Sequence, residues 1–416
     1  MLSIDFIRKN KDLVKTSAKN KNREVDLDKI LTLDDERREG IQKIQKLREE
    51  RNELAKKRDD SVKTRGKEIK DELKELESTL NKTEEELNRL ISFVPNVPLD
   101  EVPVGKDDTF NEEVKKWGEP KKFSFTPKSH IDLVQTLDLV DFERGNKVSG
   151  FRGYFLKNQL AILQMGLMMY ALQKLSSKGY SPLIAPSIVK GLTHFGTGQF
   201  PWGEPEVYKL NDEDAYLAGT AEQPVTSYYA HETLQESDLP KKFVAFSPSY
   251  RREVGSYGKD TKGLYRVHEF WKIEQVVIGK NNLEEARALH DELQKNSEEM
   301  LEELGLPYRV LLMCTGDMGE PQILKHDIET WMPSREAYGE TMSNSIMGDF
   351  QARRLNIKYK TKEGKTEYCY TLNNTALASP RILIAILENG QLEDGSIEVP
   401  HVLRPFVGFA AIEKSV

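Results

Sequence analysis

The feature that most limits how this chain can fold is a heptad seam near its beginning. Ile69, Leu73, Leu76, Leu80, Leu87 and Leu90 recur at steps of 4, 3, 4, 7 and 3. That rhythm keeps apolar side chains on one stripe of an α-helix that packs against another helix. A second apolar series, Ile41, Ile44, Leu47 and Leu54, precedes it. From Asp34 to about Val62 the only Gly or Pro is Gly40, and a short polar break, Ser61 to Lys67, divides the two series. Two seams across a short turn predict an antiparallel helical hairpin. Each helix should run about 25–29 residues, or about 40 Å at 1.5 Å per residue. The seam is narrow, so most of each helix faces water and the hairpin is expected to project from the body.

Charge is distributed unevenly along this hairpin. Residues 43–70 carry eleven Lys/Arg against six Asp/Glu, an excess of +5, whereas residues 71–90 carry three against seven, an excess of −4. A solvated helix face accounts for such charges by itself. Their concentration on the first helix and at the tip also suits a rod that grips a phosphate backbone. The net charge of the whole chain, −7, does not mark a nucleic-acid binder.

A length of 416 residues leaves room for two or three domains. Phe93-Val94-Pro95-Asn96-Val97-Pro98 through Val102-Pro103 interrupts helix with three prolines. The division is expected here, with a helical domain over 1–104 and a second domain over 105–416. Beyond the prolines, aromatic residues and glycines enter and strand-like segments follow one another at 206–219, 242–253, 264–278, 307–314, 325–332, 355–361 and 367–372. Helical patterns cover 155–177, 282–304 and 379–390. Successive hairpins flanked by helices predict an α+β body with a mostly antiparallel sheet. No window approaches 18 consecutive apolar residues, so no membrane partner is expected. The first residues lack the layout of a signal peptide. Cys314 and Cys369 are the only cysteines. They argue against a disulfide framework and a thiolate zinc site, read as buried spacers, and fit a cytoplasmic location.

Several familiar chemistries are missing. There is no G-x-x-x-x-G-K-[ST] loop, no H-E-x-x-H, and no G-x-S-x-G elbow. What the body offers instead is Arg, Glu and Thr/Ser at strand ends. Tyr250-Arg251-Arg252-Glu253 closes one strand, and Gly263 to Glu274 returns as the next. Alternation along a strand puts Phe270, Lys272 and Glu274 on one face. An aromatic ring, an acid and an arginine together can stack a base, hold an ammonium and bind a phosphate. An ordinary cross-strand ion pair on a wetted sheet would look the same.

Further segments narrow the choice: Ala218-Gly219-Thr220-Ala221-Glu222, Glu340-Thr341-Met342-Ser343, Phe350-Gln351-Ala352-Arg353-Arg354, Gly258-Lys259-Asp260-Thr261-Lys262-Gly263-Leu264, and Asn373-Asn374-Thr375 leading to Ala378-Ser379-Pro380-Arg381. In this order they resemble the class II aminoacyl-tRNA synthetases, and among these the seryl-tRNA synthetase family, over essentially the whole chain. Gly179 to Pro186 resembles the family's first motif, which builds a homodimer interface. Arg251 to Glu274 resembles the second motif and Ala378 to Arg381 the third. The hairpin resembles the arm that grips tRNA(Ser).

The resemblance implies an ATP-dependent ligase that forms seryl-adenylate from L-serine and passes the seryl group to tRNA(Ser), with tRNA(Sec) as a further acceptor. It implies Arg251 at the α-phosphate and Arg381 at the γ-phosphate of a bent ATP. Glu253 would take the adenine amino group, Val267 would give backbone contacts, and Phe270 would stack. Arg252, Thr341 and Met342 fall within the implied ATP site. Glu340 and Ser343 would hold Mg²⁺, for which oxygen ligands are suited. Met342 stands where the family commonly has serine, and a thioether cannot replace a hydroxyl on magnesium. Thr220, Ala221, Glu222, Arg251, Glu274, Asn373 and Thr375 would form the serine site. Two other readings stay open at this point. One is a synthetase-like RNA-binding or regulatory protein without charging activity. The other is a class II enzyme for threonine or proline, against which the N-terminal hairpin argues.

Overall fold

Two long helices run side by side in the computed structural model, which describes residues 1–56, 61–211, 213–256 and 262–414. The chain divides into two compact units, Met1–Val97 and Pro98–Val416. In the first unit, α1 (Ile4–Lys9) and α2 (Lys11–Asn20) precede α3 (Leu27–Leu54) and α4 (Ser61–Ser92). The Ser3 and Asp26 side chains accept from the backbone N–H groups of Phe6 and Lys29, satisfying donors that a helix start leaves unpaired. Cross-helix partners show that α3 and α4 are antiparallel. Lys29 pairs with Glu86 and Arg48 with Glu77, while Arg65 reaches back to Glu50.

The seam serves two clusters. Ile44, Ile69 and Leu73 pack with Leu47, Leu54, Leu76 and Leu80 along the distal stretch. Leu87 and Ile91 join Leu27 and Ile30 with Ile7 and Val14 of the short helices. Ile41 departs from the expected pattern and is 40% exposed. The polar break expected at Ser61–Lys67 is also displaced, since α4 already begins at Ser61. Residues 57–60 lie outside the described residues. Polar residues such as Lys67 sit on the wetted face at little cost, and Gly66 within a helix costs only about 1 kcal/mol. Arg65 repays this by binding Glu50, Glu68 and Glu72.

In the second unit an eight-stranded sheet carries the site. Its strands are β1 (Glu112–Trp117), β2 (Ser181–Ile184), β3 (Lys241–Tyr250), β4 (Glu269–Gly279), β5 (Tyr308–Leu312), β6 (Leu324–Met332), β7 (Ala337–Gly348) and β8 (Tyr370–Ala378). Their order is β1-β5-β6-β7-β8-β4-β3-β2. Every pairing is antiparallel except β2 with β3. Helices α5 (Asn158–Ser177) and α8 (Leu283–Glu303) back one face. The small helices α6 (Gly191–Thr197), α7 (Glu222–Thr226) and α9 (Phe350–Leu355) gather at one end, and α10 (Arg381–Gly390) follows β8. Alternation works as expected in β4. Ile273 and Val277 are buried in the main core, and Gln275 bonds Asn296 and the Leu293 carbonyl of α8, while Phe270, Lys272 and Glu274 face the other way into a cleft.

Several expected strands are redrawn. The stretch 355–361 begins at the end of α9, and only Lys358–Lys360 is strand. The stretch 206–219 holds two short strands, Lys209–Leu210 and Ala215–Leu217. The twelve-residue β7 escapes a period-2 reading because it is central and buried on both faces, so apolar and polar residues do not alternate along it.

Buried Asp34 ties the first unit together. Its carboxylate lies 2.8 Å from Arg8 of α1, 2.8 Å from Arg37 and 2.9 Å from Arg38, and the side chain is fully buried. Burial opposes its ionisation, but the arginines outweigh that and hold the carboxyl below its usual value of 3.8. The Asp34→Ala variant should lose about 2 kcal/mol of stability in this unit, measured by hydrogen exchange in α3. A carboxyl whose folded pKa is depressed stabilises fully above its ordinary value and loses that contribution as the pH falls beneath it. The difference between variant and parent should therefore shrink below about pH 4, the ordinary carboxyl range.

Candidate active site

A cleft of about 280 Å³ opens on the sheet face opposite α5 and α8, floored by β4, β7 and β8. Arg251 and Glu274 line this one cleft. Arg251 directly follows β3. Its Nε donates to the Gly219 carbonyl at 3.2 Å, and its guanidinium sits 5.3 Å from the Phe270 ring centre. Arg381, the first residue of α10, is held from three sides. It donates to the Glu340 carbonyl at 2.9 Å and carboxylate at 3.2 Å, donates to the Tyr265 carbonyl at 3.2 Å, and lies 4.5 Å from the Tyr265 ring centre. Two planar cations thus stand fixed over aromatic rings, an arrangement suited to forked contact with phosphate oxygens.

Local irregularities aim the remaining groups. Glu340 and Ser343 are three residues apart on β7, a spacing that in a regular strand places side chains on opposite faces. A β-bulge opposite Ile328 and Glu329 inserts Thr341 as the extra residue, and both side chains border the cleft. Thr341 turns its hydroxyl to Thr330, 2.7 Å away, and Met342 is buried in the core. These two positions border the cleft without offering it a free side chain. Glu253 adopts a left-handed backbone, φ +54, which non-glycine residues rarely do. Its carboxylate accepts from Arg266 at 3.1 Å.

The far end of the cleft is acidic. Glu274 is buried and lies 2.6 Å from Lys272 Nζ, which also reaches Thr375 Oγ1 at 3.4 Å. A second bulge, between Ile273 and Glu274, sets Thr375 opposite Glu274 and Asn373 opposite Val276. Both therefore face the cleft. Asn373 is buried, and its Nδ2 has no hydrogen-bond partner among the described residues. Glu222 opens α7 and accepts from Gln351 at 2.7 Å. Burial, reinforced by the charge of Glu274, pushes the Glu222 carboxyl up to about 7. At Glu340, whose side chain is half exposed, partial desolvation at the cleft is outweighed by Arg381, Lys325 and Arg251, so its carboxyl sits below the usual range.

Most of the residues singled out from the sequence converge here. Two do not line the cleft. Ala221 is fully buried in a small cluster with Ala185, Val225 and Phe243, and Arg252 is exposed. Gly258 to Thr261 of the expected loop lie outside the described residues. The sequence reading missed Lys272, Gln322, Lys325, Tyr265 and Arg266, which also border the cleft. For Lys272 the signal was present, since alternation placed it between Phe270 and Glu274. Lys325 belongs to no motif and is brought in only by the pairing of β6 with β7.

The donor set fits a magnesium ion bound together with phosphates. It offers one ionised carboxylate and one hydroxyl, while no group of three His, Cys, Asp or Glu that could hold a metal by itself occurs among the described residues. Magnesium is commonly held by one or two protein oxygens, with phosphates and water supplying the rest.

Comparison with known proteins agrees with this geometry. Residues 1–98 match the family described as the seryl-tRNA synthetase N-terminal domain, and residues 206–390 match the class II tRNA synthetase core domain (G, H, P, S and T). The serine–tRNA ligase of Deinococcus radiodurans is 44% identical over 98% of this chain and 98% of its own length. That of Pyrococcus furiosus is 41% identical over 99% and 97%. Among solved structures, seryl-tRNA synthetase from Pyrococcus horikoshii complexed with ATP superposes with a TM-score of 0.92 at 38% identity, covering all of both chains. The cytoplasmic serine–tRNA ligase of Naegleria fowleri in complex with AMP gives 0.89 at 31% identity, covering 100% of this chain and 99% of that one. On these matches to both of its units, the chain belongs to the seryl-tRNA synthetase family of class II aminoacyl-tRNA ligases.

Proposed function

We propose that the chain is a serine–tRNA ligase that uses ATP to form seryl-adenylate and transfers the seryl group to tRNA(Ser), and also to tRNA(Sec), in the cytoplasm. The observation that carries this reading is one cleft with two different ends. Fixed guanidinium groups stand at one end, and Glu222, Glu274, Asn373 and Thr375 surround a small space at the other. The carboxylates meet an ammonium. The amide and hydroxyl groups suit a small polar side chain, and a substrate lacking its hydroxyl would leave them unpaired.

Serine's carboxylate is already a nucleophile and needs no protein base. It attacks the α-phosphorus, the bond to pyrophosphate breaks, and charge accumulates on the phosphoryl oxygens. Arg251 meets the α-phosphate and Arg381 the γ-phosphate, so positive charge is in place before the reaction begins. Phe270 stacks the base, Glu253 accepts from its amino group, and the Val267 backbone completes that end. A magnesium ion held by Glu340 and Ser343 would neutralise phosphate charge. In the second step a terminal ribose hydroxyl takes the acyl group and AMP leaves.

Two wider features support the remaining parts of the reading. Lys46, Arg51, Lys56, Lys67 and Lys70 are exposed on the arm, beside the pairs that use Arg48 and Arg65 to join its helices. On α5, Ile162, Met165 and Met169 are 48%, 52% and 44% exposed, and Ile184 on edge strand β2 is 82% exposed. Such an apolar face, at the motif that resembles a dimer interface, suits a second copy of the chain.

Pyrophosphate–ATP exchange should be driven by serine, and by neither alanine nor threonine. In that assay Arg251→Ala should lose on the order of 10²-fold. Absence of serine-driven exchange would leave the RNA-binding, non-charging reading standing. Gly40 and Leu80 touch across the hairpin, so residues 41–79 can be replaced by a short linker without disturbing the base. That deletion should spare exchange and abolish tRNA charging. A Met165→Lys variant should shift the sedimenting species from dimer to monomer.

A further inference from the structure

Gln351 lies beneath the acidic end of the cleft. It is fully buried on α9, yet it does not line the cleft. Its amide is committed on both sides. The Thr371 hydroxyl donates to Oε1 at 2.6 Å, while Nε2 donates to Glu222 Oε1 at 2.7 Å and to the Thr197 carbonyl at 3.0 Å. A carbonyl can only accept, so Thr197 fixes which end of the amide is nitrogen. The same orientation lets Oε1 accept from Thr371 and Nε2 donate to Glu222. All three bonds are made by one placement of the side chain, and flipping the amide would break those to Thr197 and to the ionised Glu222. Gln351 thus connects β8, α6 and α7 through a single group.

We infer that Gln351 is a positioning residue for the amino-acid substrate: through an amide oriented by the Thr197 carbonyl and braced by Thr371 it aims the Glu222 carboxylate and keeps it in the acceptor form that an ammonium group requires. The inference rests on the serine-activating reading above and deepens it. An ionised carboxylate buried near a second one is unstable by itself. Glu222 faces Glu274 and Lys272 from β4 and Arg251 from the end of β3. Lys272 lies 2.6 Å from Glu274 and not on Glu222. On α9, Arg353 is bound to Asp349, and Arg354 donates to the Phe195 and Phe200 carbonyls. On α6, the buried His194 stacks on Phe200. The Gln351 N–H therefore supplies Glu222 with a fixed neutral donor inside the protein, and such a donor favours the charged form. Removing it should raise the pH at which Glu222 takes up a proton, and a protonated Glu222 no longer answers an ammonium.

The test is serine-dependent pyrophosphate–ATP exchange with Gln351→Met, which keeps the volume and loses the donor. The expected result is a rise of about tenfold in KM for serine, the scale of one hydrogen bond to a charged group, with KM for ATP changed less than twofold. The acidic limb of log kcat/KM for serine should move to higher pH. In a Glu222→Gln background the same substitution should add nothing further. Because Gln351 is fully buried, Thr371→Val provides a second reading. It is near-isosteric, removes the donor to Oε1 and so loosens an amide that Thr197 alone then orients, and should shift serine KM and the acidic limb in the same direction. Equal changes in the KM values for serine and ATP, or an unmoved acidic limb in both variants, would overturn the assignment. So would additive losses in the Glu222→Gln background. The parent enzyme's exchange with serine tests the activity itself, so failure of that reading and failure of this one give different results.

Discussion

The cleft depends on pairing the charges that line it. Glu274 with Lys272 and Glu340 with Arg381 each place a carboxylate against a cation on the same face. Burying an unpaired charge costs several kcal/mol. Lys272 and Arg381 are each held by an acid, while Arg251 is held by the Gly219 carbonyl and the Phe270 ring. The result is a site charged in advance, whose groups do not need to reorganise as the reaction builds negative charge on phosphorus.

Irregular backbone makes that pairing possible. A flat, regular β7 would point Glu340 and Ser343 to opposite faces, and a regular β8 would misplace Asn373 or Thr375 relative to Glu274. Two bulges correct this. The left-handed Glu253 turns the chain immediately after Arg251. These departures lie at the cleft, where strain is tolerated because surrounding structure fixes it. The opposite face of the same strands is ordinary core, filled by α5 and α8. One sheet thus provides rigidity on one face and chemistry on the other.

The arm follows another logic. Its core is a narrow seam, so it relies on surface ion pairs such as Arg48–Glu77 and on the buried Asp34 junction. Part of the basic excess read from composition is spent on holding the two helices together. On the proposed function, the exposed lysines serve a phosphate-bearing partner, whose binding weakens with salt.

The heptad seam, the proline run and the alternation of Phe270, Lys272 and Glu274 were legible without coordinates, because each depends on a short-range period of the chain. Local pattern failed where that period was broken. The turn of the arm was placed several residues late because polar residues are compatible with both helix and loop. β7 went unseen because a strand buried on both faces has no alternation to display. Arg252 follows Arg251 but stands exposed outside the cleft, and Ala221, in αR conformation at the start of α7, turns its methyl into a small apolar cluster. The sequence by itself determined the two-helix arm and the α+β class, which follow from local periodicity, and its motifs implied the chemical types gathered for the reaction through their resemblance to the family. Only the tertiary structure decided that Lys325 stands near Glu340 and that Gln351 donates to Glu222, because these neighbours are set by strand pairing and packing between segments far apart in the chain.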